Sequence, residues 1–212
     1  DHADLIMASN PYTHRDSNVF QSLSAKARRR KTGMIVDPTD FDRVKNVRKM
    51  PHEGFNVGYI GTVGYYKMHA DFVEMSSSVA IPDVKFLVCG GGIENQLRME
   101  AQRRGTESRF EFLGYQKEIA SVIGQMDVYG YPLCHDTYAS GELNLQEVMY
   151  AGVPPVVFPY GGVKSLVVNQ YTGLVVTSKE EYREAIEFLY HRPDERQRMG
   201  ENAAAYARQM FG

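Results

Sequence analysis

The chain has 212 residues, of which 43% are hydrophobic and 24% are charged. A chain of this length and composition buries a substantial core, as one large domain or as one domain with an appendage, which excludes intrinsic disorder. Its 24 basic and 26 acidic residues leave a net charge of -2, so no whole-molecule field recruits nucleic acid or an anionic membrane. Any anion must therefore be bound by a local pocket.

The first 50 residues carry less apolar material than the rest. Their pattern predicts a short strand at residues 5–8, a helix at about 17–31 capped by Gly33, and an extended segment at 34–38. The chain starts at Asp1 without a Met, in the middle of what looks like a strand approach. We therefore expect residues 1–50 to be a connector from a missing N-terminal domain.

From residue 55 onward the chain alternates strands and helices. Apolar runs predict strands at residues 55–60, 85–89, 110–113, 128–132, 155–158 and 173–176. Helical patterns occupy residues 67–79, 94–104, 118–125, 140–152, 164–168, 180–191 and 194–210. Buried strands alternating with amphipathic helices predict an α/β fold with a doubly wound, mostly parallel sheet. Its ligand should lie outside the carboxyl ends of the strands.

The cysteine content and the lengths of the apolar runs indicate the compartment in which the protein is expected. Cys89 and Cys134 are too few for a disulfide framework, and such usage is typical of a reducing compartment. No run approaches the roughly 20 apolar residues that a membrane-spanning helix needs, and no signal-like segment opens the chain. We expect a cytoplasmic protein without a transmembrane segment.

Glycine-rich turns recur where the predicted strands end. They are Gly61-Thr62-Val63-Gly64, Gly90-Gly91-Gly92, Gly114, Gly141 and Gly161-Gly162. One such turn is weak evidence for a ligand, because tight turns use glycine regardless. Five of them along one edge of a sheet indicate a site at which a ligand approaches the backbone closely.

The segment 140–154 is the most informative in the chain. Ser140 is expected to cap a helix, Gly141 to admit a ligand close to the backbone, and Gly152 with Pro154 to end the helix. Free amides and the helix dipole make the start of such a helix a site for phosphate.

Glu147 lies on this helix, opposite its main apolar stripe. Its own face carries Leu143, Tyr150 and Ala151, which is unusual for a surface open to water and ordinary for the wall of a cleft. A solvated glutamate is the alternative interpretation, since most helical glutamates are solvated.

The order and spacing of these motifs resemble the C-terminal, donor-binding half of family 4 retaining glycosyltransferases, which have the GT-B fold. The resemblance runs from about residue 55 to the end, and residues 1–50 resemble the family's exit from its N-terminal domain. The motifs are Gly-x-x-x-x-x-Lys at 61–67, Gly-Gly-Gly at 90–92, Phe-Leu-Gly-Tyr at 112–115, Glu-x-x-x-Ala-Gly-x-Pro at 147–154, Gly-Gly at 161–162 and Tyr-Thr-Gly-Leu at 171–174.

The resemblance implies a Rossmann-like donor-binding domain at residues 51–212. The whole protein would be a hexosyltransferase that moves a sugar from a nucleoside-diphosphate sugar, UDP being the family-weighted choice, to an acceptor hydroxyl with retention. Acceptor contacts would belong to the missing N-terminal domain, so this piece alone is expected to bind donor and transfer nothing. Neither a cofactor nor a metal is required, and nucleic acid is not an expected partner.

The resemblance also assigns roles to individual residues. Glu147 would accept hydrogen bonds from both ribose hydroxyls, and Lys67, expected at a helix N-terminus, would neutralise the diphosphate. The other donor-binding residues that it implies are Ser140, Gly141, Glu142, Leu143 and Asn144 at the pyrophosphate, Gly114, Tyr115 and Gln116 at the nucleobase, and Gly61, Thr62, Val63, Gly64 and Gly91 in the strand-end turns.

Two positions depart from the family pattern. Ala139 stands where the family usually has a glutamate that reaches the donor sugar, and Thr62 stands where it favours arginine. Glu142 is the candidate to take over the first role, so Lys67 and Glu142 are the predicted catalytic residues. Two alternatives stay open: a nucleotide-binding module without catalysis, and a sugar-nucleotide epimerase, against which Ala139 counts.

Overall fold

The computed structural model describes residues 4–8, 18–35, 39–139 and 141–211. The strands of this part of the chain are β1 (Ile6–Ala8), β2 (Thr32–Met34), β3 (Phe55–Ile60), β4 (Val84–Cys89), β5 (Phe110–Gly114), β6 (Val128–Tyr131), β7 (Pro155–Val157) and β8 (Leu174–Val175). The α-helices are α1 (Asn18–Gln21), α2 (Ala25–Lys31), α3 (Phe72–Ser77), α4 (Glu94–Arg103), α5 (Ile119–Gly124), α6 (Leu143–Tyr150), α7 (Lys179–His191) and α8 (Pro193–Met210). Short 3-10 helices span Phe41–Arg43, Glu107–Arg109 and Gly161–Ser165.

Six strands form one parallel sheet in the order β5-β4-β3-β6-β7-β8. Every residue of β3 and β6 is buried, because both strands lie in the middle of a sheet covered on both faces. The predicted doubly wound α/β fold is confirmed. In this order the connections reverse direction between β3 and β6, and ligands of such sheets bind beyond the carboxyl ends of the strands at that point.

The N-terminal region differs from its prediction. The single helix expected at residues 17–31 is two helices, because Ser24 begins a new one by accepting a hydrogen bond from the Ala27 amide. Gly33 does not cap a helix. It lies inside β2, which pairs in parallel with β1.

The helix predicted at residues 67–79 is much shorter, since α3 begins only at Phe72. Residues before it make contacts with a distant loop: Met68 forms an antiparallel bridge with Leu133, and the Lys67 carbonyl accepts a hydrogen bond from the Cys134 amide at 2.8 Å. The prediction that Lys67 stands at a helix N-terminus is therefore wrong. Nor does any helix within the described ranges have the length and apolarity needed to cross a membrane.

Candidate functional site

A cavity of about 320 Å³ opens at the carboxyl edge of the sheet, beside the reversal point between β3 and β6. It is bounded by the turns that follow β3, β4 and β5 and by the first turn of α6. The lining residues are Arg43, Ile60, Gly61, Thr62, Cys89, Gly90, Gly91, Tyr115, Gln116, Ile119 and Asn144.

Part of the glycine signal at this edge comes from packing between turns. Gly90 and Gly92 have positive φ angles of 143° and 148°. A Cβ atom on Gly90 would lie 1.8 Å from the Gly61 carbonyl oxygen, and one on Gly92 would lie 1.9 Å from that of Val63. These glycines let the turns after β3 and β4 touch, which brings the cavity's two sides together.

Helix α6 begins at the cavity, and its start differs from the predicted one. Its N-cap position is Glu142, whose φ of 48° and ψ of 52° place it in the left-handed region. Ser140, which was predicted to cap the helix, lies outside the described residues. The amides of Leu143 and Asn144 open the helix, where backbone N–H groups have no intrahelical acceptor. This arrangement suits an anion.

Glu142 belongs to a closed cluster of polar groups. Its buried carboxylate accepts a short hydrogen bond from the Tyr131 hydroxyl, and Lys67 Nζ lies 3.4 Å from Oε2. The Lys67 ammonium also lies 5.8 Å from the centre of the Tyr131 ring. The Oε2 atom of Glu142 thus has both a hydrogen-bond donor and a cation from the protein, which helps to offset the unusual backbone conformation.

Tyrosines at the ends of β3 and β6 support the turns above them. The Tyr59 hydroxyl donates to the Thr62 carbonyl at 2.7 Å, and the Tyr129 hydroxyl donates to the Ile60 carbonyl at 2.9 Å. Burial raises the pKa of both hydroxyls, so they stay protonated and keep donating. The turn after β3 is therefore held in place by hydrogen bonds from below.

Glu147 is buried one turn further along α6, with only 2% of its surface exposed. Its Oε1 atom lies 3.3 Å from Nη1 of Arg43. Its Oε2 atom is buried and has no hydrogen-bond partner among the described residues. Burial raises the pKa of this carboxyl group, Arg43 opposes that rise and Asp40 adds to it. A buried carboxylate oxygen without a donor is costly, so Oε2 is an unused acceptor, although Glu147 is not among the residues that line the cavity.

The segment before β3 packs directly on α6. The Thr39 hydroxyl donates to Oε1 of Gln146 at 2.7 Å, and Phe41 stacks on Tyr150 with ring centres 4.3 Å apart. Gln146 in turn donates to the Gly141 carbonyl at 2.7 Å. Residues 39–43 therefore fix both the helix and the loop in front of it.

Comparison with known proteins identifies the family. The glycosyl transferases group 1 family matches residues 31–206. The chain belongs to this family. The expected membership and the GT-B type of fold are thereby confirmed.

This chain spans only part of the length of the glycosyltransferases to which it is similar. A GDP-mannose-dependent alpha-mannosyltransferase of Mycobacterium tuberculosis is 28% identical over 142 residues, which are 67% of this chain and 35% of that protein. Anabaena HepE, solved in complex with UDP and glucose, is 19% identical with a TM-score of 0.83 over 99% of this chain and 59% of its own. Sucrose-phosphate synthase of Thermosynechococcus elongatus is 19% identical with a TM-score of 0.80, over 99% of this chain and 55% of its own.

The structure places many of the predicted site residues of this glycosyltransferase domain at one edge. Six line the cavity: Gly61, Thr62, Gly91, Tyr115, Gln116 and Asn144. Lys67 and Glu142 form an ion pair with each other, outside that lining. Val63 and Gly64 make turn contacts, since the Val63 amide donates to the Gly91 carbonyl and the Gly64 carbonyl accepts from Lys67 and Met68.

The turn after β5 carries the residues predicted at the nucleobase. Gly114 has a φ of 63°, which turns the chain away from the strand. Tyr115 is 84% exposed at the cavity rim, and the Gln116 side chain donates to the Leu113 carbonyl at 2.7 Å. Gln116 therefore shapes the turn and forms part of the cavity lining.

Sequence reasoning missed two polar side chains of this site. Arg43 and Gln146 contact Glu147 and Gly141 respectively, yet both were assigned no role. No local sequence signal marked Arg43, because its contact joins the 3-10 helix Phe41–Arg43 to α6, which is far along the chain. The pair Asp40 and Asp42 has a local role, because Asp40 accepts from the Asp42 amide and Asp42 pairs with Lys45.

Proposed function

We propose that this domain binds the donor of a retaining glycosyltransferase, a nucleoside-diphosphate sugar, whose sugar the whole protein transfers to an acceptor hydroxyl. The observation that carries the proposal is Glu147, a buried carboxylate whose Oε2 lacks a donor within the described ranges, on a helix that starts at the cavity. One carboxylate can accept both hydroxyls of a ribose.

The proposed donor runs from the turn after β5 to the start of α6. The nucleobase lies by Gly114, Tyr115 and Gln116, and the ribose reaches Glu147. The pyrophosphate meets the backbone at residues 140–144, with Lys67 as its counter-charge. UDP is our choice of nucleotide, supported by the UDP complex of the structurally similar HepE, while the mannosyltransferase relative makes GDP the competing choice.

Catalysis in the whole protein would rest on electrostatic stabilisation of the departing diphosphate. Lys67 and the amides around Gly141 to Leu143 are fixed before the reaction, and preorganised donors of this kind stabilise developing negative charge. Glu142 holds the Lys67 ammonium at 3.4 Å and so orients it. That Glu142 also reaches the donor sugar stays a prediction. This mechanism uses no cofactor and no metal.

The chain spans 35% of the mannosyltransferase relative and 59% of HepE, which supports a further domain in the whole protein. We propose that an N-terminal acceptor domain precedes the connector at residues 1–50, and that the domain at 51–212 binds donor without transferring it alone. The cytoplasmic location stays a prediction. A binding module without catalysis is the second candidate, because Ala139 is buried and offers no carboxylate to the donor sugar.

Calorimetric titration of this chain with UDP, GDP, ADP and their sugars tests the proposal. We expect UDP and UDP-sugars to bind more tightly than the adenine and guanine nucleotides. The proposal fails if none of them binds at millimolar concentration. Assay of the full-length protein with an acceptor then separates a transferase from a binding module.

A further inference from the structure

Arg43 connects the segment before β3 to the nucleotide cavity. It lies at the end of the 3-10 helix Phe41–Arg43, and its side chain is 49% exposed although one nitrogen is 3.3 Å from buried Glu147. Arg43 is also one of the residues that line the cavity. It therefore contacts both the protein's buried carboxylate and the space in which a ligand would lie.

The guanidinium group has more donors than Glu147 uses. Arginine carries five N–H groups in a planar fork, and one ion pair through Nη1 leaves the others available. A cation that already balances a buried carboxylate and still faces a cavity is suited to acceptor oxygens of a ligand.

The position of Arg43 is fixed before any ligand arrives. Asp40 accepts a hydrogen bond from the Asp42 amide at 3.0 Å and so starts the 3-10 helix. On either side, Thr39 donates to Gln146 and Phe41 stacks on Tyr150. Little backbone ordering is then needed on binding, which favours affinity.

We propose that Arg43 is a further donor-binding residue, which holds Oε1 of Glu147 and contacts an acceptor oxygen of the nucleoside part of the donor. This inference rests on the proposed function. The nucleoside is favoured over the diphosphate because Arg43 pairs with Glu147, the proposed acceptor of the ribose hydroxyls, and lines the cavity with Tyr115 and Gln116. The ammonium proposed for the diphosphate, Lys67, belongs to a separate cluster with Glu142.

The pairing with Glu147 gives Arg43 a second, measurable effect. Arg43, in the 3-10 helix, and Asp40, at the N-cap of that helix, are the two charged groups that act on the pKa of Glu147. Removing Arg43 leaves burial and Asp40 to raise that pKa further. Nucleoside binding then weakens at a higher pH than in the wild type, because the protonated carboxyl group accepts fewer hydrogen bonds.

The experiment compares Arg43→Met and Arg43→Lys with Arg48→Met, which removes the same charge from an exposed position of the same segment. Each is titrated with UDP and with uridine by calorimetry or ligand-detected NMR, at several pH values, after circular dichroism has verified folding. We expect Arg43→Met to weaken both ligands by the same factor, about tenfold. Arg43→Lys should recover part of that loss, and Arg48→Met should bind as the wild type does.

Each other outcome overturns a distinct statement. If Arg43→Met weakens UDP and leaves uridine unchanged, Arg43 contacts phosphate and the proposal is wrong. If the wild type binds both ligands and Arg43→Met binds them equally well at every pH, Arg43 has no role in the site. If the wild type binds neither ligand, the proposed function fails and this inference fails with it. Should Arg43→Met not fold, the same criteria apply to Arg43→Lys.

Discussion

Two buried glutamates near the start of α6 differ in the hydrogen-bond donors that the protein supplies to them. Oε2 of Glu142 accepts a hydrogen bond from the Tyr131 hydroxyl and lies 3.4 Å from the Lys67 ammonium. Glu147 is more deeply buried, with Arg43 3.3 Å from Oε1, and within the described ranges its buried Oε2 has no hydrogen-bond donor. Both side chains are the same chemical group on one short helix.

We propose that this difference separates a positioning group, Glu142, from a binding group, Glu147. A buried acceptor that the protein satisfies itself contributes to fixing the site. A buried acceptor that is left unsatisfied costs about 1–3 kcal/mol or more, and that cost is recovered when a ligand donates to it. On this argument we propose that Glu147 receives the donor and that Glu142 acts through Lys67.

The largest effect is expected from Glu147→Ala. The substitution removes both acceptors for the ribose hydroxyls, each charge-assisted hydrogen bond being worth about 1.5–3 kcal/mol, so UDP should bind at least ~100-fold more weakly. Calorimetry measures this, with Glu111→Ala as the matched control because Glu111 is exposed on β5, outside the cavity lining. A loss below about threefold would show that Glu147 does not contact the donor.

Lys67→Met should weaken UDP by about 10- to 30-fold, because one charge-assisted contact to the diphosphate is lost. Uridine, which has no phosphate, should bind as it does to the wild type. Lys85→Met removes a lysine from β4, outside the cavity lining, and serves as the control. Equal losses for UDP and uridine would contradict the assignment of Lys67 to the diphosphate.

The raised pKa of Glu147 predicts opposite pH effects on folding and on binding. Its contribution to folding is present at low pH and is lost as the pH rises through the folded-state pKa, since burial favours the protonated form. Uridine binding should instead weaken as the pH falls through that value, by up to about tenfold per unit and from a higher pH than for an ordinary glutamate. Titrations of the wild type and Glu147→Ala check this. The same pH dependence in both proteins would assign it to another group.

Glu142→Gln should have a smaller effect of the opposite sign. The substitution removes a negative charge beside Lys67, so UDP should bind about fivefold more tightly while the full-length protein turns over more slowly because Lys67 is less well oriented. Affinity and turnover are measured separately. Weaker UDP binding would indicate that Glu142 supports the donor directly instead of competing with it for Lys67.

How far the sequence predicts this site depends on the range of the contacts involved. The strands β3 and β6 were predictable because they are apolar and buried along their whole length. The apolar neighbours on its own helix face indicated a cleft wall for Glu147, with a solvated side chain as the alternative, and the structure shows it buried. Local patterns of this kind are present in any window of the sequence.

Contacts between distant segments could not be predicted in this way. The helix predicted from residue 67 fails because Met68 bridges to Leu133, and the pairing of Arg43 with Glu147 joins the connector to α6. The glycines after β4 are not specific evidence for a ligand site. Gly90 and Gly92 are required for the close approach of two turns whether or not a ligand binds.

A crystal structure of this chain grown with saturating UDP tests the central claim most directly. We expect both ribose hydroxyls within hydrogen-bonding distance of the Glu147 carboxylate, with Oε2 now accepting one of them, and the diphosphate at the amides that open α6 beside Lys67. A nucleotide bound elsewhere, or a Glu147 carboxylate that still contacts Arg43 alone beside an empty cavity, would contradict the account.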